Sequence, residues 1–328
     1  MHALSYARAS DPADALRLAQ QPRSAFIGGG TNLLDLIKGD VTRPLLLVDI
    51  NHIGLDQCVE LADGALRIGA LMRNSDLANH PLIRQRHPLL SQALLAGASP
   101  QLRNMATVGG NLMQRTRCPY FTDPAFEMCN KRVPGSGCAA RTGFSRTHAI
   151  LGASEACIAV HPSDMCVALA ALDAVVIVAG TQGERRIPIG EFHRLPGSTP
   201  HIDTQLQGGE LITAVDVPAS LFQQHTAYLK VRDRASYAFA LVSVAAALDI
   251  RDGVVQQARM ALGGVAHRPW RVPAAEALLA GQALSEARSR EAAAALTAGA
   301  RASKDNGYKI ALAQRAVVRA LSMAGAAT

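Results

Sequence analysis

Residues 26–39 read FIGGGTNLLDLIKG, and this stretch decides the fold. The three glycines Gly28–Gly30 follow a short apolar segment that predicts a strand. Glycine accepts positive φ and lets backbone N–H groups approach a ligand, so these amides can form a nest for a pyrophosphate, with Thr31 and Asn32 as further donors. A tight strand-to-helix turn explains the glycines equally well. The stretch matches neither Walker A nor G-x-G-x-x-G, which disfavours a Rossmann NAD site.

A second glycine pair lies at residues 106–112, ATVGGNL, and repeats the composition of the first loop: a small hydroxyl residue, two glycines and an asparagine. A dinucleotide with two phosphates would use two such loops, each offering amides to part of the pyrophosphate. Two unrelated turns remain the alternative. Neither loop identifies the dinucleotide.

The segments around these loops predict alternating helix and strand. Asp11 caps a first helix, and residues 24–28 and 43–50 read as strands, which together make a β-α-β unit of about fifty residues. Residues 58–70 predict a hairpin that turns at an Asp-Gly pair. We therefore expect mixed α and β structure in this part of the chain.

The character of the chain changes after Pro218, and we place a domain boundary near residue 220. Two strand or helix segments follow, then a strand, and then alanine-rich helix with few aromatic residues.

The composition indicates a folded protein with a sizeable core, since 49% of the residues are hydrophobic and 18% are charged. The net charge of +7 fits a basic face that meets an acidic partner subunit or an anionic cofactor. Scattered arginines and only 4% aromatic residues disfavour nucleic-acid binding. The chain has no signal-peptide pattern and no run of about 18 apolar residues, so we expect no export signal or membrane anchor.

Four stretches in this order and spacing resemble the FAD-binding subunit of the xanthine dehydrogenase and aldehyde oxidoreductase family of molybdenum hydroxylases: residues 26–39, 106–112, 161–174 and 228–248. The resemblance implies an α+β fold. Residues 1–220 would form a FAD-binding domain of the vanillyl-alcohol-oxidase (PCMH) type, with subdomains at about 1–55 and 56–220. Residues 221–328 would form a C-terminal α+β domain like that of the carbon monoxide dehydrogenase flavoproteins.

The resemblance also implies which residues bind FAD. Residues 27–33 would contact the pyrophosphate together with the second glycine loop. Ser163 and Asp164 would hydrogen-bond the adenosine side, and Ile212 would pack beside the flavin. The full expected set is Phe26, Ile27, Gly28, Gly29, Gly30, Thr31, Asn32, Leu33, Leu34, Thr107, Gly110, Asn111, Ser163, Asp164, Ile212 and Lys230.

Two residues of the last motif bear on the reactivity of the flavin. Composition alone suggests that Lys230 is a surface lysine, whereas the resemblance puts it near the isoalloxazine, where a cation would tune the reduction potential. Tyr237 stands where many members of the family carry an acidic residue. What approaches the flavin from that side, NAD or oxygen, is therefore open.

Five of the six cysteines lie between residues 118 and 166, spaced C-x10-C-x8-C-x18-C-x8-C. This spacing fits neither a zinc ribbon nor a ferredoxin run. The stretch is polar, rich in Pro and Gly, and should have no core of its own, so something must order it. Four thiolates around an iron–sulfur cluster would do so. Structural zinc, disulfides and inert buried thiols are the alternatives.

Most members of the family lack this stretch, which lies within about residues 114–158, and a subset holds a [4Fe–4S] cluster in this subunit. The resemblance implies Cys118, Cys129, Cys138 and Cys157 as its ligands, with Cys166 as the substitute for Cys157. Inert burial suits Cys58 and Cys166. The basic residues nearby either offset the cluster's charge or form a solvated loop: Arg115, Arg117, Lys131, Arg132 and Arg141.

The histidines show no metal-binding spacing in sequence. His148 and His161 adjoin the motifs and would lie near the flavin.

The resemblance implies an electron-transfer subunit that passes electrons through iron–sulfur clusters and FAD to a terminal acceptor. Its partners would be a molybdopterin-binding large subunit and a [2Fe–2S] small subunit. The alternative is a stand-alone flavin-dependent oxidase or dehydrogenase acting on a small organic substrate. We expect a periplasmic location, reached by co-export with a partner that carries the signal, and the alternative is the cytoplasm.

Overall fold

The computed structural model describes residues 2–326, which form three β-sheets with helices packed around them. The first sheet is parallel, in the order β1-β3-β2, with β1 at Ser5–Arg8, β2 at Ser24–Ile27 and β3 at Leu46–Asp49. Helices α1 (Pro12–Ala19) and α2 (Leu33–Lys38) connect these strands. The predicted β-α-β unit is confirmed, and so is the Asp11 cap, whose side chain accepts from Asp14 N at 2.8 Å.

The edge strand β1 was not predicted from the sequence. Its four residues, SYAR, are mostly exposed and lack the buried apolar run that marks β3. The strand forms because it pairs along β3, from Ser5 opposite Leu46 to Arg8 opposite Asp49. Tertiary pairing therefore decides this element.

The second sheet is antiparallel, in the order β4-β5-β8-β6-β7. Its strands are β4 (Cys58–Glu60), β5 (Leu66–Gly69), β6 (Val175–Gly180), β7 (Gly183–Pro188) and β8 (Leu211–Val217). The predicted hairpin is β4–β5. A long excursion between β5 and β6 carries α3 (Asn74–Asn79), α4 (Pro81–Arg86), α5 (Pro88–Ala96), α6 (Pro100–Met105), α7 (Val108–Leu112), α8 (Pro119–Thr122) and α9 (Asp164–Ala171), and α10 (Ile189–Phe192) follows β7.

The third sheet is antiparallel, in the order β12-β11-β10-β9. Its strands are β9 (Thr226–Val231), β10 (Val242–Arg251), β11 (Val254–Gly263) and β12 (Gln282–Ala283), and its helices are α11 (Pro273–Ala277), α12 (Glu286–Leu296) and α13 (Tyr308–Ala326). The two segments that read as strand or helix are the strands β9 and β10. The alanine-rich remainder is helical, as predicted.

Strand β10 is buried on both faces. Val244 and Ala246 point into the core formed with α12 and α13, whereas Ala245 and Ala247 point into the core that contains α5 and α9. Successive side chains of a strand point to opposite faces, and alanine lets the helices approach closely. The C-terminal sheet is thereby packed directly against the helices beside the glycine loops.

The expected α+β fold class is confirmed. Across residues 2–326, none of the helices combines the length and the hydropathy needed to cross a bilayer.

Candidate functional site

The two glycine loops meet backbone to backbone. A Cβ atom on Gly29 would collide with the carbonyl oxygen of Met105, and one on Gly28 would lie 3.2 Å from Thr107 Oγ1. Gly30 has φ of +71°, a conformation that side chains other than glycine's rarely adopt. The glycines are therefore needed to bring the loops together.

Side chains of the second loop fix its amides. Thr107 caps α7, and its Oγ1 accepts from Gly110 N at 3.1 Å. Asn111 Oδ1 accepts from the Ser163 hydroxyl at 2.7 Å, which ties this loop to the start of α9. Ser163 in turn caps α9 by accepting from Cys166 N at 3.0 Å. The predicted residues of two motifs thus form one connected framework.

Asn32 carries an unsatisfied donor. Its Oδ1 accepts from Arg115 N at 2.9 Å, while its buried Nδ2 has no partner within residues 2–326. A buried donor without an acceptor costs about 1–3 kcal/mol. This amide is suited to a ligand that brings an acceptor, such as a phosphate oxygen.

A cleft of two chambers surrounds the loops. The larger chamber encloses about 860 Å³ and the smaller about 350 Å³. Both are lined by Gly29, Gly30, Thr31, Asn32 and Gly110. The glycine loops therefore form the wall that the chambers share.

Lys230 lies in the larger chamber and is not a surface residue. Its side chain is only 4% exposed, and Nζ donates to Asp164 Oδ2 at 2.7 Å and to Ala96 O at 3.1 Å. The Tyr228 hydroxyl donates to the other Asp164 oxygen, also at 2.7 Å. Burial raises the pKa of Tyr228 well above its usual value, so this hydroxyl keeps its proton.

The structure divides the expected residues between the chambers as follows. Phe26, Ile27, Gly28, Leu33, Thr107 and Ile212 line the smaller chamber, and Leu34, Asn111, Asp164 and Lys230 line the larger one. Ser163 lines a third cavity of about 220 Å³ next to the larger chamber.

The structure groups three of these residues differently from the expected arrangement. Asp164 was expected at the adenosine side, with Ile212 and Lys230 beside the flavin. Asp164 and Lys230 instead share one chamber through their ion pair, and Ile212 lies in the other chamber. The reason is topological: Ile212 is in β8 of the second sheet, whereas Lys230 is in β9 of the third.

Several residues of the larger chamber were not predicted for it. Arg117 lines it, with Cζ 5.2 Å from the centre of the Phe239 ring, and burial lowers the arginine's pKa. Arg103 and Arg234 line it as well. Tyr237 lies at its edge and is 57% exposed. Sequence spacing carries no signal for the three arginines, because they come from α6 and from two separate loops.

The cysteine-bearing stretch brings four cysteines together. Cys129 and Cys138 face each other in an antiparallel bridge. Hydrogen bonding with the neighbouring Cys157 lowers the pKa of Cys138 to about 6. Burial raises the pKa of Cys118 to about 12, and charge on the neighbouring Cys129 and Cys138 sulfurs adds to this rise. All six cysteines lie within the described residues and are free of disulfides.

This stretch does have a small core, contrary to expectation. Phe121 of α8 is fully buried against Leu36 of α2 and Cys129. The Arg115 guanidinium lies over the Phe121 ring, 4.6 Å from its centre. Phe121 thus anchors the stretch on α2, because Leu36 presents an apolar side chain there.

Four basic residues of the stretch form ion pairs or hydrogen bonds with neighbouring groups. Lys131 is buried and binds Asp203, which also accepts from Arg115 Nε at 2.6 Å. Arg132 donates to backbone carbonyl oxygens, including that of Phe121 at 3.0 Å. Arg141 pairs with Glu155 at 2.6 Å. These side chains hold the loop. Hydrogen bonding with Cys138 and burial raise the pKa of Cys157, and the Lys131 charge opposes this rise.

The histidines cluster in space although they do not in sequence. His161, Cys166 and His193 each place one ligand-type atom within 4.8 Å of the others. The His161 and His193 rings lie 4.0 Å apart. Cys166 therefore belongs to a group different from that of Cys157. His148 lines the third cavity beside Asp164.

The chain matches known proteins along nearly its whole length. A profile described as the FAD binding domain in molybdopterin dehydrogenase matches residues 2–220, and one described as the CO dehydrogenase flavoprotein C-terminal domain matches residues 227–324. The aldehyde oxidoreductase FAD-binding subunit PaoB of Escherichia coli is 53% identical, with 99% of each chain covered. The glyceraldehyde dehydrogenase medium chain of Sulfolobus acidocaldarius is 28% identical, with 86% of this chain and 83% of the relative covered.

Solved structures agree with this result. A chain of carbon monoxide dehydrogenase from Hydrogenophaga pseudoflava is 26% identical with a TM-score of 0.77, covering 98% of this chain and 97% of that chain. Two profiles matched in order, with a relative 53% identical from end to end, show that the chain belongs to the family of FAD-binding subunits of molybdenum-containing oxidoreductases of the aldehyde and xanthine type.

Proposed function

We propose that this subunit carries electrons from a molybdenum-containing partner to a terminal acceptor, with FAD in the two-chambered cleft and a [4Fe–4S] cluster in the cysteine stretch. FAD, when bound, supplies a carrier that accepts electrons singly and releases them in pairs. The observation that carries the proposal is the meeting of two glycine loops at the wall shared by the chambers.

The chain's own residues fit FAD. The amides of residues 28–31, with the free Asn32 Nδ2, would hold the pyrophosphate at the shared wall beside Gly110. Lys230 and Asp164 favour the larger chamber for the isoalloxazine, because their polar groups match the ring's carbonyl and N–H edge. The smaller, largely apolar chamber beside Ile27 and Ile212 suits the adenine.

We propose Cys118, Cys129, Cys138 and Cys157 as the cluster ligands. The support is their proximity in a stretch of about residues 114–158 with little regular structure. Coordination deprotonates each thiol, which relieves the mutual effects on their pKa values. Cys166 is not proposed, because it lies with His161 and His193. Structural zinc bound by the same sulfurs is the alternative, and metal analysis would distinguish it from the cluster.

The cluster would lie next to the flavin. The cavity of about 220 Å³ is lined by Cys118 and His148 on one side and by Ser163 and Asp164 on the other. Asp164 also lines the larger chamber. Electrons would therefore have only a short distance to cross between the two centres.

We propose a large molybdopterin-binding subunit and a small [2Fe–2S] subunit as partners, with an aldehyde as the substrate class. Support comes from the name of PaoB, an aldehyde oxidoreductase subunit, and of the glyceraldehyde dehydrogenase medium chain. We also propose that the assembled complex is exported to the periplasm on a partner's signal. We further propose a domain boundary near residue 220 and, within the FAD-binding domain, subdomains at about residues 1–55 and 56–220.

The test is a visible spectrum with iron and zinc analysis of the complex, purified without oxygen. We expect one flavin and, in the Cys129→Ser variant, loss of about four irons per copy of this subunit while the flavin stays. Cys58→Ser is the matched control, since Cys58 lies on β4 away from the stretch. Zinc in place of iron, or iron unchanged in Cys129→Ser, would contradict the cluster. Absence of flavin would contradict the whole proposal.

A further inference from the structure

Two buried imidazoles contact two different cysteines of the set. His148 Nε2 lies 3.1 Å from Cys118 Sγ, and His267 Nε2 lies 3.4 Å from Cys157 Sγ. Both distances are within hydrogen-bonding range for sulfur. His148 lies within the cysteine stretch, whereas His267 comes from the C-terminal domain, 110 residues beyond Cys157.

The rings are arranged to donate to sulfur. Within the described residues, Nδ1 of His148 and Nδ1 of His267 are buried without a hydrogen-bond partner. A neutral imidazole carries one N–H, on either Nδ1 or Nε2. A buried N–H group is oriented toward an available acceptor. In both rings the nitrogen within reach of an acceptor is Nε2, and the acceptor is the cysteine sulfur, so the proton belongs on Nε2.

The backbone under His148 is held by the C-terminal domain. The His148 carbonyl oxygen accepts from Lys309 Nζ at 2.9 Å and from Asn306 Nδ2 at 3.2 Å. Lys309 is fully buried, and its amine also donates to the carbonyl oxygens of Thr147 and Gly264. The position of the ring over Cys118 is therefore set by groups far away in sequence.

We propose that His148 and His267 donate N–H···S hydrogen bonds to two ligands of the cluster and raise its reduction potential. This inference rests on the cluster in the proposed function. A donor at a ligand sulfur stabilises the additional negative charge of the reduced cluster more than it stabilises the oxidised form. The two histidines are positioning residues of the electron pathway, and the C-terminal domain tunes a centre that the first domain holds.

The test is an EPR-monitored redox titration of the assembled complex, with iron content measured in each sample. His148→Leu and His267→Leu remove the donors. We expect each to increase the oxidised-to-reduced ratio at a fixed potential about tenfold, which is a shift of about 59 mV to lower potential for one electron. His148→Gln and His267→Gln keep an N–H donor and should recover part of the shift. His87→Leu is the control, since His87 is another buried histidine and neither of its ring nitrogens has a hydrogen-bond partner, sulfur included, within residues 2–326.

The outcomes separate this inference from the proposed function. Iron-free wild-type protein would overturn the cluster and this inference together. A full complement of iron with an unchanged potential in both leucine variants would overturn the hydrogen bonds alone. If a leucine variant loses iron, pulsed EPR of the reduced wild-type complex labelled with ¹⁵N-histidine decides. A weak nitrogen coupling supports the inference, and its absence overturns it.

Discussion

The glycine cleft and the cysteine stretch are built in different ways. The cleft is formed by backbone contact between two short loops, where a single added carbon on Gly29 would collide with the chain opposite. The cysteine stretch contains only α8, of four residues, and a single turn at Ala139–Arg141. Buried polar side chains from other parts of the chain hold its backbone. Lys309, for example, donates to the carbonyl oxygen of His148.

The difference indicates which of the two sites depends on its cofactor for folding. The loops of the cleft are part of α/β structure with a large apolar core, so they should persist when FAD is removed. Between residues 118 and 138 the cysteine stretch buries only Phe121, Cys129 and Lys131, so metal coordination should supply much of the folding free energy of this part.

Replacing Gly29 by Ala should nearly abolish FAD binding. The new Cβ forces the loops apart at the Met105 carbonyl. We expect FAD affinity to fall at least about a thousandfold, equivalent to about 4 kcal/mol, while iron content stays. Flavin fluorescence titration measures the affinity. Gly190→Ala is the control, because a Cβ there has open space. Normal affinity in the Gly29 variant would show that the approach of the loops does not shape the site.

Replacing Lys309 by Met should loosen the cysteine stretch and leave the cleft intact. Three backbone carbonyl oxygens lose a buried donor. We expect destabilisation of about 3 kcal/mol, with faster proteolysis near residue 147 and faster loss of iron. Lys304→Met, at an exposed position nearby, is the control. Equal loss of flavin and iron would break the contrast between the sites.

Acid should weaken the helices beside the cleft through His87. Burial, followed by the nearby Arg86 charge, lowers the pKa of His87 from 6.5 to about 4. Between these values the unfolded chain binds more protons, so the free energy of unfolding falls as pH drops from about 6.5 to about 4. The loss reaches at most about 3 kcal/mol.

Urea unfolding of wild type and His87→Leu at pH 7 and pH 5 measures this effect. The leucine variant should lose less stability than the wild type between the two pH values. Identical losses would exclude His87 as the group that titrates.

Replacing Cys166 by Ala should have the smallest effect. Cys166 is fully buried in α9, so the loss of its sulfur should cost about 1 kcal/mol. Iron content and the EPR spectrum should not change, since the proposed fourth ligand is Cys157. Loss of iron in this variant, with iron kept in Cys157→Ala, would reverse that choice.

The sequence predicted most of the cleft because its signals are local. The glycine positions and the apolar strands are recognisable over a few residues, whereas Thr107 and Ser163 were expected as FAD contacts and also cap α7 and α9. What failed needed tertiary knowledge: β1 forms only by pairing with β3, and Lys230 is buried only because Asp164 accepts from it. Nothing in the spacing could bring His267 to Cys157, since a different domain supplies it.

Hydrogen–deuterium exchange of the complex, with and without its iron, tests the central claim most directly. The account predicts that removal of iron exposes the amides of residues 118–157, while residues 26–34 and 106–112 keep their protection. A cysteine stretch that stays protected without iron, or a cleft that opens together with it, would contradict the account.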